Sequence, residues 1–131
     1  GNARGALEEA VAYSTDRSAF GKPIFKHQAV SFMLADMATK IDAARLLTWR
    51  AALKCDSGHR NTLEAAHAKR FAADMAMEVT TDAVQIFGGY GYSEEYPVAR
   101  RMRGAKVVQI FEGSSQIQRL IIGREMLREN K

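Results

Sequence analysis

Cysteine is all but missing. Cys55 is the single one in 131 residues, which excludes an internal disulfide framework. Proline is as scarce: Pro23 and Pro97 are the only two, and both fall between long periodic segments, which they leave uninterrupted. No apolar run approaches the roughly 18 residues of a membrane-spanning helix, so no membrane span is expected. No basic, then apolar, then small-residue leader opens the chain, and no secretory signal is read. A chain that begins at Gly1 without Met reads as a trimmed or excised piece. Strong charge of one sign is also absent. A net charge of +4 suits contact with anions and is too small to name nucleic acid as a partner.

What is present describes one globular domain. A chain of 131 residues buries about two thirds of its unfolded surface, enough to form a core without disulfides or metal. With 47% hydrophobic and 26% charged residues, the composition argues against disorder. The charge is uneven. Val98 to Lys131 holds eight Lys/Arg against three Asp/Glu, a segment that suits compact phosphates or, more plainly, a solvated helical surface.

Helical spacing organises the chain. A first helix is expected from Asn2 to about Arg17 with Leu7, Val11 and Ser14 on one stripe, broken by Phe20-Gly21-Lys22-Pro23. A second spans about His27 to Cys55, near 43 Å long, with Val30, Leu34, Met37, Ile41, Ala44 and Ala51 on one face. Trp49 is assigned to core packing. A third begins at Asn61, with Glu64 at capping-box spacing, and stops at Gly88-Gly89. A glycine-rich turn follows to Gly91. Pro97 suits the start of a short helix to about Arg103. Val107 to Phe111 reads as a strand or a buried connector. A last helix runs from Ser115 to about Arg128, with Ile117, Leu120, Ile121 and Leu127 along it. Long helices on short loops predict an all-α, antiparallel four-helix-bundle-like domain covering residues 1–131.

Glu112 is the carboxylate of most interest. Ile110 and Phe111 flank it, so loss of hydration should raise its pKa and make it a better base near neutrality. Gly113 allows a ligand close to the backbone, and Ser114 and Ser115 can cap the last helix, whose N-terminus favours an anion. The plainer alternative is a carboxylate in an ordinary turn. Gln85 to Gly91 lacks the strand and the G-x-G-x-x-G frame of a dinucleotide loop and reads as a helix stop. Glu64-x-x-His67 is half of a di-iron motif with no second half, better explained by surface and capping chemistry, and no metal is expected. Cys55 has no evident partner for nucleophilic work. Arg100, Arg101, Arg103 and Lys106 form a basic cluster without aromatic stacking platforms.

Four segments, taken in order, resemble the acyl-CoA dehydrogenase family. They are Asp16-Arg17-Ser18-Ala19-Phe20-Gly21-Lys22, His27-Gln28, Asp82 to Gly91, and IFEGSSQIQRLIIGR from Ile110 to Arg124. The likeness covers essentially the whole chain and is closest to the medium-chain and short-chain branch. It implies the C-terminal helical domain of an FAD-dependent enzyme whose N-terminal helical and middle β domains are not in this chain. It also implies that Glu112 is the base that takes the α-proton of an acyl-CoA. The backbone N–H of Glu112 would polarise the thioester carbonyl as an oxyanion hole does. By the same likeness Arg17 pairs with the FAD diphosphate, and His27 and Gln28 line the cofactor. Gln85 and Gly89 would meet its ADP portion, Ser114 and Gln116 would hold it after the base, and Gly113 and Arg124 would touch the CoA substrate.

The resemblance further implies a homotetramer in which neighbouring subunits share FAD contacts, with electrons passing to electron-transferring flavoprotein. The setting would be the mitochondrial matrix of a eukaryote or the cytoplasm of a bacterium. Ala19, Phe111, Ser114 and Gly104 depart from the family pattern, which commonly has Thr, Tyr, Thr and Asp there. Two alternatives follow: a helical interaction module without chemistry, and an acyl-CoA oxidase that uses the same base.

Overall fold

Residues that lose least on entering a helix dominate the periodic segments. In the computed structural model, which describes residues 1–128, these segments are helices. They are α1 (Asn2–Asp16), α2 (Gln28–Asp56), α3 (Thr62–Phe87), the one-turn α4 (Gly89–Tyr92), α5 (Pro97–Val108) and α6 (Ser115–Arg128). The end of the expected domain and two of the counted charges, Glu129 and Lys131, lie outside the described residues. Between α1 and α2 a small antiparallel hairpin pairs β1 (Ser18–Ala19) with β2 (Lys22–Pro23). Phe20 and Gly21 turn its corner at φ 53° and 79°, consecutive left-handed residues that match the twist of a tight hairpin. The fold is all-α and bundle-like, as expected.

Ion pairs mark the register of α2 on α3. Lys40 Nζ lies 2.9 Å from Glu78, and Lys54 Nζ lies 2.7 Å from Glu64. Fourteen residues forward along α2 correspond to fourteen back along α3, so the two run antiparallel. α3 is central, with α1, α2, α5 and α6 all packed on it. In the core, Ala6 and Ala10 of α1 and Met37 of α2 meet Val79 and Ala83 of α3. Small residues at these contacts let the helix axes come close. Tyr13 stacks on Phe87 with ring centroids 4.0 Å apart, which ties the end of α1 to the end of α3. Arg101 of α5 reaches Glu9 of α1 at 2.6 Å and holds that side of the bundle.

Five expectations are corrected. The buried line of α1 is Ala3, Ala6, Ala10 and Ser14, and Val11 is 46% exposed, because small side chains face α3 and larger ones are left at the margin. Trp49 is 57% exposed: Ala44 and Ala51 face the core, which places residue 49 on the opposite side of α2. Val107 to Phe111 is not a strand, and the part of it that connects α5 to α6 is not buried. α5 continues to Val108, and the Ile110 and Phe111 N–H groups both donate to Val107 O as the helix unwinds into a turn. α6 buries its polar residues Ser115, Gln118 and Glu125, while Leu120 and Leu127 lie exposed, because it meets Asp74 of α3 and Arg60 of the α2–α3 loop. Asn61 makes no side-chain cap; its Nδ2 donates to Ala51 O across the α2–α3 turn.

Gly88 ends α3 at φ 62°, and the expected glycine-rich turn winds into α4. Gly91 is required there. A Cβ on it would stand 2.5 Å from Val84 O, a backbone atom that cannot step aside.

Candidate functional site

The turn between α5 and α6 carries Glu112. Its φ is 52° and that of Gly113 is 89°. A left-handed conformation costs a non-glycine residue roughly 1–2 kcal/mol, so the surroundings must enforce it. They do so from α3. Lys69 Nζ donates to Val108 O at 2.6 Å and to Phe111 O at 3.1 Å, and lies 5.3 Å from the centre of the Phe111 ring. Asp74 Oδ1 accepts from Gln109 Nε2 at 2.9 Å and from Ser115 Oγ at 2.8 Å, and its Oδ2 accepts from Arg119 at 2.9 Å. Burial alone would push the Asp74 carboxyl up. The hydrogen bonds from Gln109 and Ser115 and the charges of Arg119 and Arg70 outweigh it, and the group rests below the ordinary carboxylate range. Gln118 Nε2 donates to Gly113 O at 3.2 Å and closes the turn from α6.

Glu112 itself is exposed, and no described residue pairs with its carboxylate or accepts its N–H. The expected desolvation by its neighbours is corrected: Ile110 and Phe111 point outward, 62% and 43% exposed, so this chain supplies no apolar wall around the carboxylate. Ser114 precedes α6 as a cap, its Oγ 3.4 Å from the Ile117 N–H, while Ser115 turns inward to Asp74. Gln116 lines a groove of about 590 Å³ with Asp74, Lys106, Ile110 and Arg119. Arg124 is exposed on α6, eight residues beyond Gln116 and so about 12 Å along the helix.

A second group forms at the C-terminal end of α3. Arg17 ends α1, and its guanidinium lies 5.6 Å from the centre of the Tyr90 ring. Arg17, Tyr13, Ile24, Phe87, Gly89 and Tyr90 line a shallow cavity of about 500 Å³. The Ile24 N–H donates to Arg17 O, and His27 Nε2 lies 3.0 Å from Ala19 O, so the hairpin joins Arg17 to the start of α2. Gln28 opens α2 and Gln85 sits in the last turn of α3, both exposed.

The structure therefore brings the expected residues into two groups. Glu112, Gly113 and Ser114 share the α5–α6 turn with Gln116 in the first turn of α6, and Arg124 lies apart, farther along α6; Arg17, His27, Gln28, Gln85 and Gly89 share the hairpin end. Their α3 anchors, Asp74 and Phe87, are thirteen residues apart, about 20 Å. Lys69, Asp74 and Gln118 were missed. The available signal was polar residues interrupting an apolar helical stripe. Glu64 is corrected as well: it is 6% exposed, not a surface residue. The Lys54 hydrogen bond is the largest influence and holds its carboxyl below the ordinary range against its burial. It lies there because α2 and α3 close over it. Cys55 is exposed. Among the described residues no cluster of three ligating side chains could hold a metal ion, and no helix is long and apolar enough to cross a membrane.

Residues 1–127 match the family model for the acyl-CoA dehydrogenase C-terminal domain. The chain is 54% identical over 129 residues to cyclohexane-1-carbonyl-CoA dehydrogenase of Geobacter metallireducens, covering 98% of this chain and 34% of that protein. Butyryl-CoA dehydrogenase of Megasphaera elsdenii superposes with a TM-score of 0.95 at 57% identity, over 97% of this chain and 33% of that one. A chain in a structure of the electron transferring flavoprotein of Acidaminococcus fermentans gives a TM-score of 0.95 at 56% identity, over 97% and 33%. The chain thus spans about a third of the length of the relatives it matches. It belongs to the acyl-CoA dehydrogenase family, as that family's C-terminal domain.

Proposed function

We propose that this chain is the base-bearing part of an FAD-dependent acyl-CoA dehydrogenase that converts acyl-CoA to trans-2-enoyl-CoA. The observation that carries the reading is Glu112: among the described residues its carboxylate has no partner and its N–H no acceptor, on a backbone held left-handed by a clamp from α3. In this reading the carboxylate takes the α-proton of the thioester. The Glu112 N–H donates to the thioester carbonyl and stabilises the enolate charge as it develops. Gly113, without a side chain, lets the acyl-CoA approach that N–H, and Arg124 offers an exposed cation to its phosphates.

The hairpin end suits a flat, phosphate-bearing group such as FAD. Arg17 has no carboxylate partner among the described residues. A Cβ at Gly88 or Gly89 would meet nothing within 4 Å, so a ligand can approach the backbone there. Arg17 and Gly89 would hold the phosphates and the adenine side, with His27, Gln28 and Gln85 beside them, and Ser114 and Gln116 would hold the group near the base. FAD, when bound, accepts the hydride that leaves the β-carbon. The 20 Å between the two groups suits either a long cofactor or contributions from neighbouring copies. A homotetramer is proposed from the family likeness. Electrons would pass to electron-transferring flavoprotein. The setting proposed is the mitochondrial matrix of a eukaryote or the cytoplasm of a bacterium. Water exclusion around Glu112 falls to the domains outside this chain.

The test is anaerobic. A panel of acyl-CoAs is added to the full-length protein carrying this segment while the oxidised flavin absorbance is followed. Bleaching that depends on chain length is expected. Firmly bound FAD without bleaching contradicts the reading, absence of FAD favours a non-catalytic module, and hydrogen peroxide at the turnover rate in air makes the protein an oxidase.

A further inference from the structure

Phe111 and Glu112 share one peptide unit. A trans peptide is planar, so the Phe111 carbonyl and the Glu112 N–H leave it in opposite directions, and no cis bond occurs among the described residues. Lys69 holds that carbonyl at 3.1 Å, holds Val108 O at 2.6 Å, and lies 5.3 Å from the centre of the Phe111 ring. The lysine therefore fixes the far edge of the peptide on the α3 side, and the Glu112 N–H is turned away from α3. Among the described residues nothing accepts that N–H.

We propose that Lys69 is a positioning residue that aims and strengthens the Glu112 N–H as the donor to the thioester carbonyl. The inference rests on the reading of Glu112 given above. Two effects act together. One is orientation. Three contacts from one ammonium, to two carbonyls and a ring, leave the peptide plane little freedom to tilt, and Lys has three donors to spend on such a site. The other is polarisation. A charged donor on the carbonyl oxygen makes a stronger bond than a neutral one and draws electron density through the conjugated peptide, which strengthens the N–H on its other side. A neutral side chain of equal length could fill the space and would supply neither effect.

The test uses the full-length flavoprotein. Wild type, Lys69→Met, Lys69→Gln and Lys69→Arg are compared for FAD content, anaerobic flavin reduction and KM. A fourth readout is the carbonyl stretch of bound 2-enoyl-CoA labelled with ¹³C at C1, read by isotope-edited infrared spectroscopy. Losing a whole oxyanion donor costs about 10²–10³ in rate; weakening one should cost less, about ten- to a hundredfold, with KM little changed. In Lys69→Met the carbonyl stretch should move to higher wavenumber, and Lys69→Arg should restore part of both losses. A folded neutral variant with the wild-type rate and carbonyl stretch overturns the proposal. Loss of FAD in both neutral variants overturns it too, since Lys69 would then serve only the fold. Should the wild type itself fail to bleach with any acyl-CoA, the reading of Glu112 falls first and takes the proposal with it; bleaching that Lys69→Met leaves unchanged removes the Lys69 proposal alone.

Discussion

At Glu112 an L-residue stands at φ 52°, and the next residue is a glycine at 89°. Gly113→Ala tests how tightly this pair is set. Its Cβ would adopt a conformation that costs roughly 1–2 kcal/mol, and it would press on the Gln118 amide that closes the turn. The expected outcome is a lower thermal midpoint and slower flavin reduction in the full-length protein; an unchanged midpoint would mean that the turn relaxes freely. Two other carboxylates, Glu64 and Asp74, are held below the ordinary range, while burial pushes Asp82 above it. A depressed folded value contributes stability that is fully present above the unfolded value and is lost as pH falls through the folded one. Stability should therefore drop on acidification below about pH 4, and Glu64→Gln should flatten that drop in a circular-dichroism titration. An identical acid profile would argue against the Lys54–Glu64 pair. The sequence singled out Glu112 through its neighbours, Gly113 and Ser114. It misjudged the environment, because apolar residues beside a carboxylate in sequence need not cover it in space.

At the scale of elements, α3 does two jobs. Its apolar stripe forms the core, and the polar residues that interrupt the stripe hold the α5–α6 turn. Removing Asp74 frees Gln109, Ser115 and Arg119 together. Asp74→Ala should loosen the docking of α6 by about 1.5–3 kcal/mol, the range for hydrogen bonds to a charged group. Faster amide exchange confined to residues 109–119 would be the signature, and unchanged exchange there would contradict the clamp. α5 offers the opposite case. Gly104 is an interior helical position whose Cβ would find only Asn2 Nδ2 at 3.9 Å. Gly104→Ala should therefore stabilise by about 0.5–1 kcal/mol, read as a raised thermal midpoint. The long helices were legible because Ala-rich 3.6-residue periodicity runs the length of α2 and α3, whereas the one-turn α4 was read as a turn. The Val107–Phe111 assignment failed because a short β-branched run looks alike in a strand and at a helix end. The exposed apolar face of α6 escaped notice because spacing says which residues share a face and not what covers it.

The whole molecule leaves that α6 face and the Leu46, Trp49 and Leu53 side of α2 exposed, with Leu53, Leu120 and Leu127 each about 70% accessible. Contiguous apolar surface of this kind marks contact with other protein. The isolated segment is expected to self-associate at micromolar concentration in light scattering; a persistent monomer would contradict a self-associating role for these faces. The two functional groups, one beside the middle of the central helix and one at its C-terminal end, make the same point from the chemistry: neither is closed off from solvent by the described residues. The proposed chemistry nevertheless depends on one side chain, and the decisive variant is Glu112→Gln. In an anaerobic single turnover with the full-length protein, the variant should keep its FAD and lose about 10²–10⁴-fold in the rate of flavin reduction by acyl-CoA, the usual contribution of a positioned base. Reduction at the wild-type rate would place the base elsewhere and contradict the assignment.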